Sequence, residues 1–551
     1  MDRRKPGHAT LKVSRVCLGA MAFIPGLRRD RALDAGAPSA PGAPRVPAVV
    51  AAAARTGFMV ALAAARLLAG TGFVFDDRNG DGRREPDEPG LAAVAVSNGV
   101  DVVLTDETGA YRIPDRPGAP TFVIKPRGWR PPVDGANLPL FHARPGAGPA
   151  VDFPLVRSDE PDDLRALIVT DPQPSSAAEV DYLSRGLVER IGSGTGFAFG
   201  VTLGDIVYDR PDLFGAVNQV IARIGIPWYS LPGNHDLALG TANEGAAAAP
   251  FEAAYGPSTY AFHAGPALFA ALDDVRPLGG PRYIGGLRGD QLEFLGNILR
   301  VTPPDEWVVL MMHIPLFAAD PSGTEGFRAA DRLRLFELLR GRTRVLILSG
   351  HTHYQRHVMH GQGDGWSGKE PIHEYNVAAA CGGFWGGPRD TGGIPVATMW
   401  DGTPPGYAIL GFKGAAVSLE YVPSRMPAGH QMELHAPTAV APRQGFVSFY
   451  ANVFNGHDGW AVEARVDGRA WSPMRRILGW DPTYAAEFLA QDSTARPSAG
   501  PRLPDPVVCY HLWRALLPAD LALGPHVIQV RATDPEGRVY SAERQFVIVN
   551  P

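Results

Sequence analysis

The sequence predicts a multidomain chain of α/β and β parts, with a central layered α/β region and a smaller all-β domain on either side. Three observations predict it. The 551 residues suffice for three or four folding units at about 150 residues each. Between Leu164 and Ser349, five short apolar runs are separated by helix-sized segments, as in stacked strands and helices. On both sides of that stretch, apolar residues alternate with polar ones and are interrupted by Asn-Gly, Asp-x-x-Gly and Asp-Pro turns, the texture of antiparallel sheets. With 45% hydrophobic and 20% charged residues the chain is neither disordered nor fibrous. A net charge of −5 excludes a general nucleic-acid binder, which needs a basic face to displace counterions.

Residues 1–70 read as a leader or disordered segment. They carry 11 Lys/Arg against 3 Asp/Glu, with uncharged runs at Val16–Leu27 and Thr56–Ala65. Both runs are too short to span a bilayer, which takes about 20 apolar residues, and both fit the apolar part of a secretory signal. The expectation is export to the periplasm or medium. If the start lies instead near Met59, the protein is cytoplasmic. Cys17, Cys381 and Cys509 form no CxxC pair, so a thiolate zinc site and a disulfide scaffold are excluded. Any metal must be held by His, carboxylate or amide.

Residues 71–156 read as a small β domain. Strands are expected at Phe73–Phe75, Val94–Ser97, Val102–Leu104 and Ala110–Ile113. Asp77, Asn79, Asp81, Arg83 and Glu88 stand where a twelve-residue loop supplies oxygens to Ca²⁺, with Gly82 at the sharp turn. The flanks are strands, not the helices of an EF-hand, and a set of Asx turns would account for the same spelling without an ion. The stretch resembles the calcium-binding B-type repeats of bacterial surface proteins, which implies a prealbumin-like β-sandwich and a structural calcium.

Residues 157–425 carry the chemistry. Each of the five apolar runs ends in residues of metal-ligand type. Leu164–Thr170 leads to Asp171-Pro-Gln173, Phe199–Leu203 to Gly204-Asp205 and Asp209, and Pro227–Leu231 to Gly233-Asn234-His235-Asp236. Trp307–Met312 leads to His313, and Arg344–Ser349 to Gly350-His351-Thr-His353. Ligands gather beyond the carboxyl ends of strands in such sheets. One acid or imidazole at a strand end needs no explanation, but five in series do. A carboxylate offsets the repulsion of two cations, neutral imidazoles complete their shells, and a cation pair clamps a phosphoryl centre. Glycines before Asp205, Asn234 and His351 permit tight turns near such a site. Gln291–Leu295 reads as a packing helix. The Gly-dense aromatic stretch Cys381–Tyr407 either rims the site or joins strands of a second sheet.

This order of motifs resembles the calcineurin-like metallophosphoesterase superfamily over about residues 164–425, in the bacterial subgroup with an N-terminal B-repeat-like domain and an added C-terminal domain. The resemblance implies a central calcineurin-like β-sandwich flanked by helices. It implies two divalent ions, Mn, Fe, Zn or Mg, the first held by Asp171, Gln173, Asp205 and His353. The second would take Asp205 as bridge with Asn234, His313 and His351. A metal-bridging hydroxide would attack the phosphorus of a small-molecule mono- or diester, with His235 assisting the leaving group and Asp236 orienting it. The family usually has His at position 173. An amide oxygen there favours Mn²⁺, Mg²⁺ or Fe over Zn²⁺, or Gln173 only hydrogen-bonds a bound water. The alternative is a non-catalytic calcium-binding surface or adhesion protein on a degenerate phosphoesterase scaffold, with Gln173 the sign of decay.

Residues 426–551 read as an immunoglobulin-like or fibronectin-like β domain, with strands at Val447–Phe454, His526–Thr533 and Gln545–Val549 and a turn at Asp534–Gly537. His511 and Trp513 read as packing residues.

Overall fold

The computed structural model describes residues 69–116, 118–143, 150–320, 326–427, 429–493 and 502–550. The apolar runs Val16–Leu27 and Thr56–Ala65, with Cys17 and Met59, lie outside the described residues. No helix among the described residues is long and apolar enough to cross a membrane.

Two sheets form the centre. One has five strands in the order Trp228–Leu231, Phe199–Leu203, Arg165–Val169, Gly406–Lys413 and Ala416–Pro423. The other has six, in the order Tyr260–Ala264, Ala267–Ala271, Trp307–Met311, Val345–Ser349, Ile372–Asn376 and Arg356–His360. Side-chain alternation in Arg165–Val169 explains the layering. Ala166 and Ile168 face the core between the sheets, with Phe199, Phe269 and Val309. Leu167 and Val169 face outward, under Val180 and Leu183 of helix Ala177–Leu183 and Val217 of helix Phe214–Ile221. Strands with both faces covered read as unbroken apolar runs, which is why the sequence showed them so clearly. Within each sheet the strands that carry the motifs run parallel, so their carboxyl ends open toward one side.

The flanking β domains attach in different ways. Residues 69–157 form a four-stranded and a three-stranded sheet, including all four expected strands. Their apolar residues merge with the central core: Phe122 meets Phe294 edge-on at 5.7 Å and Phe141 meets Tyr260 at 5.0 Å. The C-terminal sheets close over a core of their own around Phe449, Trp513 and Val530. They meet the centre through buried polar groups. His511 Nε2 lies 2.9 Å from Asp401 Oδ2, Asn452 donates to the Asp401 carbonyl at 3.0 Å, and Gln355 donates to the Phe454 carbonyl at 2.8 Å. Several features escaped the sequence reading, among them the strands Ala461–Val466 and Cys509–Leu516. The last strand begins at Val539 rather than Gln545, because its first half alternates polar residues, and a helix, Pro482–Ser493, interrupts the domain.

Candidate metal centre

Hydrogen bonds between strand ends pull distant motifs together. Asp171 N–H donates to the Gly204 carbonyl at 3.2 Å and Gln173 N–H to the Asp205 carbonyl at 3.1 Å. His351 N–H donates to the Asp171 carboxylate at 2.9 Å, and His235 N–H to Asp205 Oδ1 at 2.9 Å. The backbone is bent to do this. Asp171, Gln173, Asp205, Asp209, His351 and His353 all have φ between +41° and +72°, a region non-glycine residues rarely occupy. Such strain persists where surrounding contacts enforce it, and it concentrates at functional sites. The expected glycines have their reasons too. Gly204 has φ +82°, and a Cβ on Gly233 would come 2.2 Å from the Asp205 amide nitrogen.

Asp205, His313 and His351 each offer a donor atom within 4.8 Å of the others. His313 Nε2 lies 3.3 Å from Asp205 Oδ2 and 3.2 Å from Asn234 Oδ1, while its Nδ1–H donates to the Leu203 carbonyl at 2.8 Å. That second bond fixes the ring and aims Nε2 into the cluster, where a cation would displace its proton. His353 is held likewise, Nδ1 to the Gly382 carbonyl at 2.6 Å, with Nε2 3.6 Å from Asp171 Oδ1. Asp171 Oδ1 and His351 Nδ1 are buried without a hydrogen-bond partner. Buried polar atoms are normally satisfied, so carboxylate and imidazole atoms left open among these strand ends fit divalent cations.

Gln173 does not stand as a simple replacement for an imidazole. Its Nε2–H donates to Asp205 Oδ2 at 2.5 Å, and its Oε1 faces the Cys381 thiol at 3.5 Å. The expected pairing of His235 with Asp236 also differs. His235 Nδ1 meets Asp209 Oδ1 at 2.9 Å, whereas the Asp236 carboxylate accepts the backbone N–H groups of Ile206, Val207 and Gly233. Asp236 follows His235 in a tight turn and points back under the loop, so orientation of the ring falls to Asp209.

Charge follows from this crowding. Burial alone would lower the His313 imidazole, but Asp205 and then Asp171 raise it to about 10. Burial would raise Asp205, yet His313 holds it well below the ordinary carboxylate range. His351 is pushed down to about 4 by burial and by the charge of His313. Asp236 is pushed up to about 8 by burial and by Asp205.

Two supporting carboxylates were missed. Asp274 accepts His313 N–H at 3.1 Å and Ile314 N–H at 2.9 Å. Glu374 accepts the Leu316 and Phe317 amides and the Ser349 hydroxyl, tying the two histidine loops together. The acidic end of the run Leu272-Asp273-Asp274 was the available signal. The stretch after Cys381 does rim the cluster: Trp385 Nε1–H donates to the Pro172 carbonyl at 2.9 Å, and Trp400 stacks on His353 at 5.6 Å.

In the N-terminal loop, Asp77 accepts Gly80 and Gly82 N–H, Asn79 accepts Asp81 N–H, Asp81 accepts Arg83 N–H, and Glu88 accepts Arg78 and Glu85 N–H. The loop is thus a chain of Asx turns closed by its own amides.

The models of three calcineurin-like phosphoesterase regions match the chain in order: the N-terminal domain at residues 78–157, the phosphoesterase domain at 164–355 and the C-terminal domain at 374–540. No curated protein sequence matches. Among solved structures, a purple acid phosphatase from seeds of yellow lupin (Lupinus luteus) aligns with 60% of this chain and 66% of its own, at 14% identity and TM-score 0.35. The sulfane dehydrogenase SoxCD of Paracoccus pantotrophus aligns with 32% of this chain and 34% of its own, at 17% identity and TM-score 0.10. At these TM-scores neither likeness bears on the fold. The consecutive matches, spanning the N-terminal, catalytic and C-terminal regions, show that this chain belongs to the calcineurin-like phosphoesterase family.

Proposed function

We propose that the chain hydrolyses phosphate mono- or diesters at a dinuclear divalent-metal site, with residues 157–425 as the catalytic domain between β domains at 71–156 and 426–551. Asp171, Gln173, Asp205 and His353 would hold one ion, and Asp205, Asn234, His313 and His351 the other. The observation that carries the reading is the convergence of Asp205, His313 and His351 within 4.8 Å, beside unpartnered Asp171 Oδ1. Two such ions, when bound, neutralise the phosphoryl oxygens and supply hydroxide near neutral pH.

The side chains do the rest. Asn234, at the start of a short helical turn, offers its amide to a phosphate oxygen and its Oδ1 to the cluster. Asp209 holds the His235 ring by Nδ1, leaving Nε2 to pass a proton to the departing ester oxygen. The Leu203 and Gly382 carbonyls keep His313 and His353 from rotating, so geometry is fixed before substrate arrives.

Hydrolysis of p-nitrophenyl phosphate and bis(p-nitrophenyl) phosphate by protein loaded with Mn²⁺, Fe²⁺, Zn²⁺ or Mg²⁺ is the test. Asp205→Asn should lower kcat/KM about a thousandfold, since it weakens both ions at once. Wild-type protein inert under every metal, or a variant as active as wild type, contradicts the proposal.

A further inference from the structure

We propose that Tyr208 and Phe384 form an aromatic corner beside the metal donors that selects phosphoesters whose ester group carries a flat aromatic ring, aryl or nucleobase. The inference rests on the phosphoesterase reading and deepens it.

Both rings face solvent, Tyr208 39% exposed and Phe384 41%. Their centroids lie 6.0 Å apart with planes at 89°, so they make two walls of an L. Tyr208 lies flat on His235 at 4.1 Å, and Phe384 leans on His353 at 4.4 Å and meets Trp400 at 5.8 Å. The corner therefore reaches from the ring assigned to the leaving oxygen to the imidazole assigned to the first ion. An ester group departing past His235 meets Tyr208 first.

The loop that presents Phe384 is strained and fastened. Phe384 and Trp385 have φ +54° and +51°, a rare conformation for bulky residues and rarer for two in succession. Cys381 N–H donates to the Asp171 carbonyl at 3.1 Å and Gly383 N–H to the Ala397 carbonyl at 2.9 Å. Trp385 is turned inward and buried, anchored by its indole to Pro172. Packing explains Trp385, and contacts with His353 and Trp400 steady the preceding ring, but packing alone does not require Phe384 to stay 41% exposed. Recognition of a planar group does. Aromatic rings pair best offset-stacked or edge-to-face. A ring entering the corner stacks on one wall and meets the other by its edge, which a puckered saturated ring cannot do.

The test is calorimetric binding of benzylphosphonate and cyclohexylmethylphosphonate to full-length, Mn²⁺-loaded protein. The probes share a phosphonate head and similar bulk, cannot be hydrolysed at an ester, and differ in ring planarity. Benzylphosphonate should bind about three- to tenfold more tightly, and Phe384→Leu and Tyr208→Leu should each bring the ratio toward one. A second pair, adenosine 5′-phosphate against ribose 5-phosphate, compared as competitive inhibitors of bis(p-nitrophenyl) phosphate hydrolysis, separates the two sources. Preference in both pairs assigns a nucleobase, and preference in the benzyl pair alone assigns an aryl group. Equal affinities in the wild type, or a preference that both substitutions leave intact, overturn the corner. Failure of both phosphonates to bind contradicts the phosphoesterase reading itself, and the corner falls with it.

Discussion

The two halves of the donor cluster are built to different standards. Around His313 the bracing comes from behind: Leu203 holds His313 Nδ1, Asp274 accepts its backbone N–H, and Glu374 ties its loop to Ser349, at the end of the strand that leads to His351. Around Asp171 and His353 the Gly382 carbonyl holds the ring, but Asp171 Oδ1 and His353 Nε2 stand 3.6 Å apart against 3.3 Å between Asp205 Oδ2 and His313 Nε2, and Gln173 turns its NH₂ toward Asp205. An amide donating to the shared carboxylate competes with a cation for the same lone pairs. On the proposed dinuclear reading, one ion position would be pre-organised by the fold, while the other would be softened by Gln173, an amide where the family resemblance implies an imidazole.

That asymmetry is open to attack. The largest effect belongs to the braced half: His313→Ala should cost about a thousandfold in kcat/KM, and His353→Ala about a hundredfold, measured on p-nitrophenyl phosphate with saturating metal. Equal losses would erase the distinction. Next, Gln173→His should tighten the weaker ion about 10- to 100-fold in chelator competition and shift preference toward Zn²⁺. An unchanged affinity would mean that Gln173 was never in the ion's reach. Asp209→Asn should lower kcat about three- to tenfold with KM little altered, because an exposed carboxylate orients His235 without touching substrate.

The smallest effect is in protons. His313, held at about 10 by Asp205 against its burial, carries a proton at neutral pH that a cation must displace, whereas His351, pushed down to about 4 by burial and His313, carries none. Metal loading near pH 7 should release protons, and affinity should fall as pH falls because more donors are then protonated. Calorimetry in buffers of different ionisation enthalpy should show about one proton fewer for His313→Ala.

Much of the site was readable because its donors sit at the ends of fully buried strands. Asp205, Asn234 and His313 follow runs whose apolar residues must all pack, so position in the sheet follows from pattern alone. The braces were not readable. Nothing in the spacing of Asp236 tells that it turns back to the Ile206 amide while Asp209, 26 residues before His235, reaches the ring instead. Glu374 and Asp274 look like ordinary strand residues until the fold sets them behind the histidine loops. The C-terminal helix Pro482–Ser493 escaped because its moderate amphipathy lies inside a β pattern.

Anomalous diffraction from crystals soaked in Mn²⁺ tests the central claim most directly. The account predicts two peaks about 3.5–4 Å apart, one on either side of the Asp205 carboxylate. No peak within reach of Asp205, or a single peak in the loop from Asp77 to Glu88, would contradict it.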